Sequence, residues 1–417
     1  MKNLKIITLL LSILLLISNY PTHHSAATRR IPQQEDIETI KDTVPKSPVI
    51  LVPGFGGSRL DVKLTNFKSE HWFCHTNEDW FLLWLSMDML VPVFAECSID
   101  YITLDWDGSY PSNKEGVEFR VVSGIEGVVY LQPTFHFENY FLNLVNEFKN
   151  EGYQENLDLF AAPYDFRLSP KNFTLYFNEL KNMVEYSYKI DNKKVNLVCH
   201  SMGCKLSTFF LTQTPQEWKD KYVEQLITIA PAVAGAFEGI RTLLFGNNFG
   251  DDILPNKDFK TLSLSWPAVY FNLPYDDTLW TNPIAIFKDK EYYSTNEGFH
   301  QLFTDMELPE KAHQLLDFVW DDNQYIKNPG VKVSIFYGYG SDTHSQLIFK
   351  DKMIDGSIEY IDKSGDGVLL EELILNYCEQ WTDNTSTSCQ GFKGVCHQCL
   401  VSNKDVIKSV VGRVKQQ

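Results

Sequence analysis

Short, largely apolar runs recur along the chain at 47–53, 157–162, 195–199, 226–229 and 331–337, with the longest unbroken stretch, Pro48 to Pro53, in the first. Runs of this length and composition predict strands of an interior sheet. The stretches between them change period. Tyr140, Phe141, Leu144, Val145 and Phe148 share one helical face in 138–150, and further helical patterns cover 173–188 and 202–212. Strands alternating with helices at these intervals predict an α/β architecture, a mostly parallel sheet with helices on both faces. The sheet is expected to resume around 356–361, and helices are expected near 311–320 and 404–411.

Two segments break this rhythm. Residues 70–106 are dense in aromatic and apolar residues, Trp72, Phe73, Trp80, Phe81, Trp84 and Leu85 among them, and Cys74 and Cys97 flank most of the segment. This material is read either as core packing or as a disulfide-bracketed lid meant to meet lipid. Residues 235–325 are rich in Gly, Pro, Asn and aromatics with little clean period, which fits a cap inserted between sheet strands. The resulting organisation is a core over 45–234, including the lid segment 70–106, then the cap over 235–325, then the rest of the core over 326–417.

The N-terminus changes the compartment. Lys2 and Lys5 precede an apolar run from Ile6 to Ile17, so residues 1–20 read as a secretory signal, too short for a membrane span. Residues 21–44 are a polar leader or arm. In an oxidising compartment the eight cysteines become candidates for bridges. Cys199 and Cys204 are expected to be free, small and buried. Cys396 and Cys399 have redox or zinc spacing, but no second C-x-x-C stands near them to complete a four-thiolate site. Asn172 and Asn384 begin glycosylation sequons, which places both on expected surface loops. A formal charge of -17 excludes nucleic acid and electrostatic capture by an anionic membrane, though not apolar contact with lipid.

Candidate chemistry centres on 195–204, where an apolar run enters the turn His200-Ser201-Met202-Gly203 and a helical pattern leaves it. Strand, sharp turn and helix are the context of a nucleophile elbow, with Cys199 in place of the first glycine of G-x-S-x-G. The run 47–53 leads into Gly54-Phe55-Gly56-Gly57-Ser58, which lacks the spacing and the Lys-Ser/Thr of a phosphate loop. It fits an oxyanion loop better, as α/β-hydrolases take one donor from an early strand-to-helix loop. A serine needs a base and the base an orienting acid, in the chain order serine, acid, histidine. Asp366 lies in a late Gly-Asp-Gly turn, and His397 is the last histidine of the chain. A calcium loop starting at Asp362 is the rival reading, but its twelfth position is Leu373 where a glutamate is needed. His200, next to Ser201, is expected to diverge from it and not to serve as base.

Taken together the motifs resemble those of the lecithin:cholesterol acyltransferase family, most closely its lysosomal phospholipase A2 (group XV) branch, over roughly 48–410. The resemblance rests on Val52 to Leu60, on Glu78 to Leu85 with Met89 to Cys97, and on Ala162-Pro-Tyr-Asp165-Phe-Arg167. It continues in His200 to Gly203, Trp218 to Tyr222, Gly365 to Val368, and His397. It implies an α/β-hydrolase fold with a Ser201, Asp366, His397 triad. Oxyanion donors at Gly56 and Met202, a Cys74–Cys97 lid disulfide and lid or lipid contacts at Trp80, Phe81, Trp84 and Leu85 are implied with it. Asp165 and Arg167 are architectural in this reading. The chain departs from the family's Gly-Asp-Gly-Thr-Val, because Val368 follows Gly367 directly. Cys378 has no partner between Cys204 and itself, so it is free or pairs with Cys389, Cys396 or Cys399.

The expected function is that of a phospholipase A working through an acyl-enzyme at a phospholipid membrane or lipoprotein surface, in a secreted fluid or a lysosomal or vacuolar lumen. Transfer of the acyl group to a sterol or other lipid alcohol is the second reading, and a non-catalytic lipid-binding protein the third. No metal or other cofactor is expected, since the serine route uses none.

Overall fold

A computed structural model describes residues 46–133, 137–246, 256–382 and 386–416. The expected signal 1–20, the leader 21–44 and the sequon at Asn384 lie outside these residues. The organising unit is β1 (Val49–Val52), four apolar residues with no exposed surface. It pairs in parallel with β2 (Leu159–Ala161) on one side and β3 (Val195–His200) on the other. Beyond β3 follow β4 (Val223–Ile229), β5 (Lys332–Tyr339) and β6 (Thr387–Lys393), each parallel to its neighbour. The strand order β6-β5-β4-β3-β1-β2 reverses direction between β1 and β3. Such a switch point opens a crevice at the carboxyl ends of those two strands.

Helices cover the sheet. Helix α1 (Leu142–Asn150) packs against α5 (Lys404–Lys415), while α2 (Thr174–Asp191) meets α3 (Met202–Thr212) through Phe177 and Phe209. Helix α4 (Glu371–Thr382) packs on β5 and β6, and a Cys378–Cys389 disulfide fastens it to β6. This is the doubly covered, mostly parallel sheet of an α/β-hydrolase-like architecture.

Three expectations change. The strand expected near 356–361 spans Ile358–Gly365, but it pairs antiparallel with Ser341–Phe349 in a separate four-stranded sheet, not in the parallel one. The sixth parallel strand is instead β6, which alternates between half-buried and exposed residues and so carries no apolar run. Cys199 and Cys204 are not free: they are bonded across the turn from β3 into α3, where their Cα atoms lie 4.9 Å apart. Cys396 and Cys399 also form a disulfide, which leaves no free cysteine. The calcium reading fails on geometry, as Asp362 sits in a strand with its carboxylate 2.5 Å from His344 Nδ1. Among the described residues no group of three or more His, Cys, Asp or Glu could hold a metal ion.

Within 70–106 the chain forms a strand, Glu78–Trp84, paired with Leu60–Leu64, and a helix, Pro92–Ile102. The Cys74–Cys97 disulfide ties the loop before that strand to the helix. Residues 235–325 hold several short helices, Phe237–Phe245, Asn256–Ser263, Pro267–Phe271, Asn296–Asp305 and Glu310–Trp320, of which only the last is among the helices expected from the sequence.

Candidate active site

Ser201 lies between the end of β3 and the first turn of α3, at φ 53° and ψ -125°. Backbone in this region is strained for a residue with a side chain and persists only where its surroundings fix it. Here two glycines do so. A Cβ on Gly203 would stand 2.1 Å from the Pro53 carbonyl oxygen, and one on Gly54 would stand 2.9 Å from Ser201 Cβ. The loop after β1 and the turn after β3 therefore touch across the crevice, and any larger residue at either position would push them apart.

His397 follows β6, at the edge of the parallel sheet, and Asp366 follows Ile358–Gly365 of the separate four-stranded sheet. His397 Nε2 is 2.9 Å from Ser201 Oγ, and His397 Nδ1 is 2.9 Å from Asp366 Oδ2. The other carboxylate oxygen, Oδ1, accepts from the Val368 and Leu369 N–H groups at 3.0 and 2.7 Å. The His397 backbone N–H in turn donates to the Asp366 carbonyl at 2.9 Å. Asp366 is 1% exposed and His397 5% exposed. A buried carboxylate is tolerable only when hydrogen bonds replace its water, and these donors supply them. A neutral imidazole held in this way can take a hydroxyl proton, while the carboxylate fixes which ring nitrogen carries hydrogen.

His200 does diverge from Ser201. Its Nδ1 lies 2.7 Å from the Tyr140 hydroxyl and its Nε2 3.3 Å from the His397 carbonyl oxygen. Burial, and after it the neighbouring His397, hold its pKa well below the usual histidine range. Of the two expected oxyanion donors, Met202 directly follows Ser201, and Gly56 lies two residues after Gly54, the glycine that packs against Ser201. The Gly56 carbonyl accepts from the Trp84 indole at 2.7 Å, and Met202 is the first residue of α3, where helix N–H groups have no carbonyl partner within the helix. Arg167 is buried, forks onto Asp165 and reaches the Ile102 carbonyl and Asn113, so this pair braces the segment after β2 against the strands of 104–113.

The four expected lid residues divide. Trp84 and Leu85 are buried, with Trp84 wedged between Gly56 and Phe166. Trp80 and Phe81 are half-buried, Trp80 beneath the Arg120 guanidinium and Phe81 against Tyr101. Trp72, beside Cys74, is instead the large apolar residue left open to solvent, at 95% exposure. Asn172 sits in a capping box with Ser169, and its Nδ2, the atom a glycan would take, is enclosed.

Sequence reasoning missed two residues. Tyr140 reads there as the start of an amphipathic helix, and nothing local signals its contact with His200 sixty positions later. Lys205, in the helical pattern that leaves the serine turn, is fully buried on α3, donates to the Phe271 carbonyl and lies over the Phe271 and Tyr275 rings. Burial drives its pKa well down, and burial likewise pushes nearby Asp322 up to about 6.

Comparison with known proteins gives likeness at two levels, of fold and of sequence. A chain of the Tle4-Tli4 complex superposes with a TM-score of 0.51 at 10% identity, covering 89% of this chain and 99% of that one, a likeness of fold alone. The phosphatidylcholine-sterol acyltransferase of Mus musculus is 30% identical over 345 residues, 81% of this chain and 78% of the relative. The lysosomal phospholipase A and acyltransferase of Rattus norvegicus is 28% identical over 368 residues, 85% of this chain and 87% of the relative. These two kinds of relative match almost equally well, so identity favours neither branch. The family model described as lecithin:cholesterol acyltransferase matches residues 80–325. On this match and on the extent of the curated similarity, the chain belongs to the lecithin:cholesterol acyltransferase family.

Proposed function

We propose that the protein is a phospholipase A that cleaves fatty-acyl esters of glycerophospholipids through an acyl-enzyme on Ser201. The observation that carries this reading is the continuous line of hydrogen bonds from Ser201 Oγ through His397 to the buried Asp366 carboxylate. In the proposed reaction His397 Nε2 takes the Ser201 proton as Oγ attacks the ester carbonyl. The N–H groups of Gly56 and Met202 hold the oxyanion, where preorganised donors have their largest effect. The carbonyl re-forms, the lysolipid oxygen leaves with the proton carried by His397, and Ser201 is left acylated. Water, activated by the same imidazole, then releases the fatty acid.

A second acceptor has a specific observation in its favour: relatives of both kinds are named as acyltransferases. A sterol or other lipid alcohol in place of water would turn the same acyl-enzyme into an O-acyltransferase. The preference for hydrolysis rests on the motif likeness to the phospholipase branch. A purely lipid-binding role leaves the strained serine and its buried partners unexplained.

In this reading the loop closed by Cys74 and Cys97 is a lid, and the exposed Trp72, two residues before Cys74, meets a membrane or lipoprotein surface. The segment 235–325 caps the crest of the sheet. Four disulfides support passage through an oxidising secretory compartment, to a secreted or lysosomal lumen. A serine-directed fluorophosphonate tests the proposal. One equivalent of label on Ser201, lost in His397→Ala, is expected; folded wild type that takes up no label would sink it.

A further inference from the structure

Four loops carry the groups assigned to the reaction: the glycine loop after β1, the turn after β3, the Asp366 turn and the loop holding His397. One hydrogen-bond chain joins the first two to the last. The Gly54 N–H donates to the Tyr140 oxygen at 2.8 Å, that oxygen is 2.7 Å from His200 Nδ1, and His200 Nε2 is 3.3 Å from the His397 carbonyl oxygen.

A single proton arrangement satisfies this chain. The His397 carbonyl can only accept, so hydrogen sits on His200 Nε2. The neutral ring then presents a bare Nδ1, which accepts from the Tyr140 hydroxyl, whose oxygen accepts from Gly54. His200 is enclosed, at 3% exposure, and Tyr140 is half-buried. Packing repeats what the hydrogen bonds do. A Cβ on Gly57 would stand 2.7 Å from the Tyr140 ring, and one on Gly54 3.1 Å from its hydroxyl oxygen. The His200 and His397 rings lie 5.0 Å apart. A neutral His200 therefore adds no second positive charge next to His397 when that ring takes the serine proton.

We infer that Tyr140 and His200 form a positioning pair that sets the glycine loop and the His397 loop at their working distances from Ser201. The inference deepens the acyl-enzyme reading and rests on it. Neither side chain touches the reacting atoms. Tyr140 spaces the donor side of the crevice, and His200 anchors the backbone of the base. A loop displaced by a fraction of an ångström leaves substrate binding nearly intact but misplaces donors that act on the transition state.

The test uses the full chain, p-nitrophenyl butyrate as a soluble ester, and active-site titration with a fluorophosphonate, so that kcat is expressed per functional serine. Tyr140→Phe leaves two buried partners unmatched and is expected to lower kcat about 10- to 100-fold with KM within about twofold. His200→Ala is expected to fall by at least as much. His200→Asn, which places an acceptor near the position of Nδ1, should recover about tenfold over His200→Ala. A merely structural role would reduce the titratable fraction and the melting temperature while leaving kcat per titrated site unchanged. Variants with wild-type kcat per site overturn the pair alone. Wild-type protein that takes no label overturns the Ser201 reading and the pair with it.

Discussion

At the crest of the parallel sheet, Asp366 is 1% exposed and both its carboxylate oxygens are bonded, while Trp72, just outside the Cys74–Cys97 loop, is 95% exposed. The two regions sit in one chain and answer to different physics. A buried polar group must be matched completely, so the crest is held by hydrogen bonds from β3, from the Asp366 turn and from Tyr140, and each fixes the others. An apolar side chain loses little by remaining in water and gains when another surface covers it. The segment around Trp72 is tied by the Cys74–Cys97 disulfide, by the Cys74 N–H donating to the His71 carbonyl and by the Ser69 hydroxyl donating to Asp100, while the Trp72 side chain itself stays in water. The difference teaches where the protein spends its rigidity: on groups whose distances decide a reaction, and not on those proposed to meet lipid.

Breaking the crest should have the largest effect. Ser201→Ala and His397→Ala are expected to lower kcat/KM about 10⁴- to 10⁶-fold, and Asp366→Asn about 10⁴-fold, with melting temperatures close to wild type. Turnover kinetics beside thermal melts check this. Residual activity above about one hundredth of wild type in His397→Ala would mean that the base is another group.

The crest also carries a pH signature. His200 is held neutral in the folded protein with its pKa well below 6.5, so below that pH the unfolded chain binds one more proton than the native one. Its contribution to stability is therefore present above pH 6.5 and lost as pH falls, by up to about 1.4 kcal/mol per pH unit. Denaturant melts between pH 7 and 4.5 should show a steeper decline in wild type than in His200→Gln. Equal slopes would mean that His200 is protonated in the native state.

Breaking the loop should sharpen the contrast. In the chain-entropy model, Cys74→Ser with Cys97→Ser removes a bridge spanning 23 residues and costs about 3 kcal/mol. Turnover of phosphatidylcholine vesicles should fall further than turnover of a soluble ester. Equal losses on both substrates would tie the loop to the crest and undo the comparison. Trp72→Ser is the mildest change. It should weaken vesicle binding about 3- to 30-fold in a flotation assay while leaving soluble-ester kinetics and melting temperature unchanged.

Legibility in the sequence follows the same division. The strands β1 and β3 are buried on both faces and so read as short apolar runs, unbroken in β1 and interrupted by Asn196 in β3, and the serine turn is marked by local residues, Ser201 and Gly203. Asp366 and His397 were reachable because the fold fixes the chain order of acid and base. What was hidden depended on distant partners. The edge strand β6 carries a polar sequence whose pairing is decided by β5, and Ile358–Gly365 has an alternation that fits either sheet. Tyr140 and Trp84 look like any helical or core aromatic until the glycine loop is folded against them. The bond between Cys199 and Cys204 depends on the sharpness of the turn between them, which no residue pattern records.

The measurement that bears most directly on the central claim is product analysis on phosphatidylcholine liposomes, with and without a lipid alcohol, at pH 5 and pH 7.5, for wild type and Ser201→Ala. Wild type is expected to release lysolipid in equal amount to the sum of free fatty acid and acylated alcohol, and Ser201→Ala to release none. Lysolipid formed at the same rate by Ser201→Ala would contradict an acyl-enzyme on this serine.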